Sequence, residues 1–60
     1  MTTAAERENA IARASHIAYE KDRFQAIGIV ADEYVVCDWE DEGRLAEMTN
    51  VEKVGSSGVV

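Results

Sequence analysis

The sequence predicts a small α+β domain: one N-terminal amphipathic helix packed on a short antiparallel β-hairpin or small sheet, associating as a dimer. Three observations carry this expectation. Apolar residues recur at helical spacing between Ala10 and Ile27. A β-branched and aromatic run, Tyr34-Val35-Val36-Cys37-Asp38-Trp39, follows and meets the polar turn sequence Glu40-Asp41-Glu42-Gly43. Finally, the chain has only 60 residues, with one Cys and one His. A domain of that size buries about 60% of the surface its unfolded chain exposes. Neither an internal disulfide nor a Cys/His zinc site can supplement its core, so self-association or a larger partner is the expected source of extra stability.

The helix is expected over about residues 3–26. Thr3-Ala4-Ala5-Glu6 fits a capping box, with the Thr3 hydroxyl accepting from the Glu6 amide and the Glu6 carboxylate reaching back to the Thr3 amide. No Gly occurs before Gly28 and the chain has no Pro, so nothing interrupts an Ala-rich run of good helix formers. Ala10, Ala14, Ile17, Phe24 and Ile27, with Ile11 and Ala18 beside them, form one face. Glu6, Asn9, Arg13, His16, Glu20 and Arg23 form the other. Lys21 interrupts the stripe and can snorkel to its edge. The helix end stays open at this point: Gly28 can supply a left-handed cap, or Ile27, Ile29 and Val30 can begin a strand.

A hairpin is expected over about residues 34–49. Alternation puts Val35, Cys37 and Trp39 on one face of its first arm, and Tyr34, Val36 and Asp38 on the other. Arg44 to Thr49 would return with Ala46 and Met48 on the Cys37 side. A competing reading makes Asp41 the N-cap of a short helix through Met48, because Arg-Leu-Ala-Glu-Met are strong helix formers. The fold would then be an all-α helical hairpin or small bundle. Gly55-Ser56-Ser57-Gly58 reads as the start of a flexible tail over residues 55–60, leaving a single domain at residues 1–54.

Composition narrows the function classes. At 47% apolar and 30% charged, the chain is too hydrophobic to be wholly disordered. Its longest uncharged stretch runs from Phe24 to Ala31, far short of the roughly 20 residues that span a bilayer. The first residues lack the hydrophobic core of a signal peptide, and a lone thiol suits a reducing compartment, so a cytoplasmic location is expected. With a net charge of −6 and no Lys/Arg cluster, neither direct nucleic-acid binding nor membrane binding is expected.

That charge is segregated. Through Gln25 the acids Glu6, Glu8, Glu20 and Asp22 are balanced by Arg7, Arg13, Lys21 and Arg23. Beyond it come Asp32, Glu33, Asp38, Glu40, Asp41, Glu42, Glu47 and Glu52, against only Arg44 and Lys53. Asymmetry of this kind points to an interaction surface. The partner-binding residues expected are Asp32, Glu33, Tyr34, Asp38, Trp39, Glu40, Asp41, Glu42 and Glu47. The aromatics among them are of the type that anchors interfaces. On a strand, Asp38, Glu40 and Glu42 would project together at about 6.6 Å, close to two phosphate steps of about 3.4 Å each along B-DNA.

No reaction chemistry is expected. Asp38 to Gly43 superficially resembles a calcium loop, but Glu40, Glu42 and Thr49 stand where Asp or Asn, Asp or Asn, and a closing Glu are wanted. His16 and Glu20 share a helix face at four-residue spacing, as a surface pair does, and supply only two ligands. Cys37 sits between apolar neighbours near acids that oppose thiolate formation. Ser15, Ser56 and Ser57 stand in no nucleophile context, and the many carboxylates lack the concave pocket that acid–base catalysis needs. No catalytic residue, cofactor or metal is expected.

The expected function is therefore that of a small acidic, non-enzymatic binding protein. It would occupy a basic surface of a partner protein, such as a nucleic-acid-binding one, as an inhibitor or nucleic-acid mimic. The alternative is a self-assembling structural or accessory subunit without an inhibitory role. Self-association is assigned to the Ala10, Ala14 and Ala18 stripe, which allows close helix approach, with Ile11, Ile17 and Phe24 as larger contacts.

Overall fold

In the structure, a computed structural model describing residues 3–60, helix α1 (Ala4–Lys21) starts where its capping sequence dictates. Thr3 is extended, and its hydroxyl accepts from the Glu6 amide at 3.2 Å and donates to Glu6 Oε1 at 3.3 Å. The helix stops five residues short of the expected bound. Asp22 takes the left-handed conformation at φ 52° and its N–H bonds back to the Ala18 carbonyl. Asp tolerates this region better than most residues, so no Gly is required for the cap. Gly28 instead lies in strand β1 (Gln25–Val30), where Ile27, Ile29 and Val30 obey strand preferences.

β1 turns directly into β2 (Glu33–Asp38) through Ala31 and Asp32, both at positive φ (52° and 65°), the dihedral sign of the tight hairpin turn whose twist matches the strands. The register places Gln25 opposite Asp38, Ile27 opposite Val36 and Ile29 opposite Tyr34. The expected hairpin over 34–49 is thus corrected: the partner of β2 precedes it in the chain. Residues 42–47 form the short helix α2 (Glu42–Glu47), with Asp41 as N-cap accepting from the Arg44 amide at 3.2 Å. For this segment the competing helical reading is the right one.

Strand β3 (Thr49–Gly55) returns along the other side of β1, and β4 (Gly58–Val59) folds back on it. The sheet has four antiparallel strands in the order β2-β1-β3-β4, which overturns the all-α alternative. The tail is corrected too. Gly55 is buried, β4 is paired, and the Val60 amide donates to the Lys53 carbonyl at 3.0 Å.

α1 lies on one face of the sheet. Ala10 and Ala14 pack on Ile27 and Val54, with Ile11, Tyr34 and Val36 at the margin, and Ala18 is buried beside them. The small side chains let the helix backbone approach the sheet closely. The Ala stripe is therefore consumed inside the chain, which corrects its assignment to self-association; Phe24 lies beyond the helix altogether. Strand alternation turns Ala26, Gly28 and Cys37 to the opposite face, where Met48 seats against Gly28 and Cys37 Sγ lies 3.6 Å from Met48 Sδ. α2 packs against β1 on that second face. Among the described residues no helix is long and apolar enough to cross a membrane.

Candidate acidic interface

The expected partner-binding residues fall into three places set by the topology. Asp32 and Glu33 occupy the β1–β2 turn and the start of β2. Asp38, Trp39 and Glu40 lie at the opposite end of that strand, where the chain leaves the sheet. Asp41, Glu42 and Glu47 belong to α2 and its cap, and α2 has no buried residue. The even ladder of Asp38, Glu40 and Glu42 does not form. β2 ends at Asp38, residues 39–40 turn, and Glu42 opens a helix, because the Asp41 side chain captures the Arg44 amide and diverts the backbone.

Pairing thins the acids unevenly. Arg23 binds Glu40 at 2.9 Å and approaches Asp38 at 4.0 Å, while the Asp38 carboxylate also accepts from Gln25 Nε2 at 2.9 Å. Arg7 grips Glu52 side-on through Nε and Nη2, at 2.9 and 2.6 Å, tying α1 to β3 at the margin of the core. On α2 only Arg44 stands among Asp41, Glu42 and Glu47, and among the described residues Arg44 joins no ion pair. The acidic excess is therefore concentrated along α2.

Tyr34 and Trp39 do not form one aromatic centre. Tyr34 faces α1 beside the core. Trp39 instead joins Phe24, and the Trp39 amide donates to the Phe24 carbonyl at 3.1 Å. Lys53 Nζ lies 4.2 Å from the Phe24 ring centroid and 5.3 Å from that of Trp39, within the range of cation–π attraction. Phe24 is 48% exposed, and with Trp39, Asp22, Arg23 and Glu40 it borders a shallow depression of about 220 Å³. Sequence reasoning missed Phe24 and Lys53 as members of this patch. Phe24 happened to fit the helical period, and Lys53 is brought in only by the β1–β3 pairing of Lys53 with Ala26.

The remaining chemical candidates are quiet. Burial, then the charges of Asp41 and Asp38, push the Cys37 thiol above its ordinary value against the opposing Arg44, which disfavours the nucleophilic thiolate. His16 pairs with Glu20 on the exposed side of α1, and among the described residues no group of three or more His, Cys, Asp or Glu side chains is placed to hold a metal.

Glu52 gives the fold a pH signature. Its carboxyl is held below the usual carboxylate range, first by the Arg7 hydrogen bond, with burial opposing and the Arg7 charge adding. A depressed folded-state pKa stabilises above the unfolded value of about 4.3 and loses that contribution as pH falls through the folded value. Arg7→Met should therefore lower Tm slightly near neutrality, and the difference from the wild type should shrink as pH falls below the unfolded carboxylate range and through the folded value of Glu52. Thermal melts across that range check this; a deficit independent of pH would show that Arg7 acts only through packing.

Comparison with protein-family models, curated proteins and solved structures finds no significant match to this chain.

Proposed function

We propose that this chain is a non-enzymatic binding domain whose α2 side docks on a basic surface of a partner protein. The observation that carries the reading is the placement of Asp41, Glu42 and Glu47 on a helix with no buried residue, after Arg7 and Arg23 have been spent on Glu52 and Glu40. Such a net acidic surface, three carboxylates to the single Arg44, steers an oppositely charged partner and suppresses wrong ones. The half-exposed Phe24 and the partly buried Trp39 supply apolar area of the kind that anchors interfaces. A nucleic-acid-binding cleft is the basic surface this reading favours, and the chain would act there as an inhibitor by exclusion. Irregular spacing of the acids makes that exclusion a matter of charge and shape, not of copying a phosphate ladder.

The test uses the immobilised chain as bait in lysate from its native cell, at low and at physiological salt. Glu42→Gln/Glu47→Gln is run in parallel, a pair that leaves the Asp41 cap intact. A retained partner should weaken with salt and lose about three- to tenfold in affinity with the variant, the scale of two exposed ion pairs. DNA or RNA should compete for it. Retention indifferent to both salt and the variant would refute the proposal.

A further inference from the structure

The outer edge of β2 is built to pair. Because the Trp39 amide donates to the Phe24 carbonyl, Phe24 and Trp39 form a hydrogen-bonded pair. The β1–β2 register then turns the backbone groups of Cys37, Val35 and Glu33 towards β1 as well. Tyr34, Val36 and Asp38 direct theirs away from the sheet. The Asp38 carbonyl accepts from the Asp41 amide at 3.1 Å, but β2 is an edge strand, so the amides and carbonyls of Tyr34 and Val36 face outward with no neighbouring strand among the described residues. Protected edges carry Lys, Pro, a bulge or an inward charge. Tyr34-Val35-Val36-Cys37 carries none of these and its register with β1 is unbroken, the inward-facing charge of β2 being confined to its last residue, Asp38.

We propose that the occupant of this edge is a second copy of the chain, its β2 antiparallel to the first about a two-fold axis at Val36, so that two four-stranded sheets become one. Hydrogen-bonding parity allows only Tyr34, Val36 and Asp38 to exchange bonds across the edge. An axis at Val35 would set Asp38 directly against Asp32 of the other copy, a like-charge pair. An axis at Cys37 would run Tyr34 into Glu40, past the end of the strand. The axis at Val36 places Val36 on Val36, Val35 on Cys37, Glu33 on Trp39 and Tyr34 on Asp38, so that no like charges are opposed within the strands and Asp32 meets Glu40 only in the turns beyond both strand ends, and forms roughly six backbone hydrogen bonds between copies.

Charge complementarity supports the same register. Asp38 and Tyr34 both face the α1 side of the sheet, since they pair with Gln25 and Ile29. On that side Arg13 borders a depression with Tyr34, Asn9, Glu6 and Glu33. Among the described residues Arg13 has no ion-pair partner. Pairing about Val36 brings Asp38 of each copy to the Arg13 side of the other, twice per dimer. The arrangement leaves α2 outside the interface, so it is independent of the acidic-face reading.

Two measurements test it. Wild-type chain in sedimentation equilibrium should be dimeric, and amide hydrogen exchange at Tyr34 and Val36 should slow as concentration rises. Arg13→Asp and Asp38→Arg should each favour monomer, while an equimolar mixture should restore the dimer, because one cross-contact is re-formed with reversed sign and the other is the native Arg13–Asp38 pair. A chain monomeric up to millimolar concentration, or a dimer in which those two amides exchange as freely as in the dilute chain, overturns the proposal. So does a mixture of the two variants, both folded by circular dichroism, that stays monomeric. If Asp38→Arg does not fold, the wild-type exchange result decides alone.

Discussion

Truncating Ile27 to Ala is expected to destabilise the fold by about 2–5 kcal/mol, the range for removing a large aliphatic side chain from a packed core. Ile27 is fully buried and, with Val54, is one of the largest side chains that are. It lies at the middle of β1, covered by Ala10 and Ala14 of α1 and flanked in the sheet by Val36 and Glu52. Those Ala side chains are too short to collapse into the space, and α1 is already held at close range, so the cavity should persist. A native domain of this length has about 3–9 kcal/mol in total, at roughly 0.05–0.15 kcal/mol per residue. The substitution therefore takes away much of the margin and can leave a partly unfolded population at room temperature. Urea unfolding followed by circular dichroism should show a lower midpoint with unchanged slope. Val51→Ala, at a site 37% exposed, should stay within about 0.5 kcal/mol. Loss of less than about 1 kcal/mol at Ile27 would mean that the core has been misplaced.

The parts of this fold that were legible in the sequence are those fixed by local chemistry. Thr3 caps α1 because a hydroxyl there meets an amide three residues on, and the same logic made Asp41 readable as the cap of α2. The β2 strand could be read from its β-branched content. What escaped depends on conformations or partners with weak local signals. The tight β1–β2 turn uses Ala31 and Asp32 at positive φ, with none of the Asn-Gly or Asp-Gly signals that mark such turns, so the strand alternative for Ile27, Ile29 and Val30 stayed open and its pairing with β2 was not legible. Asp22 ends the helix by the same left-handed conformation, again without Gly. An Ala stripe looks alike whether a sheet or a second helix covers it, and only the sheet's existence decides. At the candidate site the acids themselves were legible. Their neutralisation was not, because Arg7–Glu52 and Arg23–Glu40 join residues far apart in the chain. That pairing moves the uncompensated charge from a strand to α2.

Gly28→Ala should also destabilise, by about 1–3 kcal/mol, although Ala in a strand interior is ordinarily the better residue. The requirement at Gly28 is space. No positive φ is involved, since Gly58 alone among the glycines has one. A Cβ at Gly28 would lie 2.6 Å from Met48 Cε, 2.9 Å from Met48 Cβ and 3.1 Å from the Thr49 carbonyl oxygen. The first contact is with the end of a flexible side chain and can be relieved by a new rotamer. The other two involve the stem of Met48 and backbone at the start of β3, where the β1–β3 register already shifts between Ile27 and Ile29. They can be relieved only by moving the α2–β3 junction. Met48→Ala should therefore rescue Gly28→Ala in part, removing the Cε contact and leaving the rest. A double-mutant cycle by urea unfolding measures this as a coupling between the two sites. Additive effects would show that Met48 does not rest on Gly28. Full rescue would show that the Met48 side chain beyond Cβ was the sole obstacle and that β3 yields freely. Partial rescue identifies the close approach of β3 to β1 as the reason a residue without a side chain occupies the centre of this sheet.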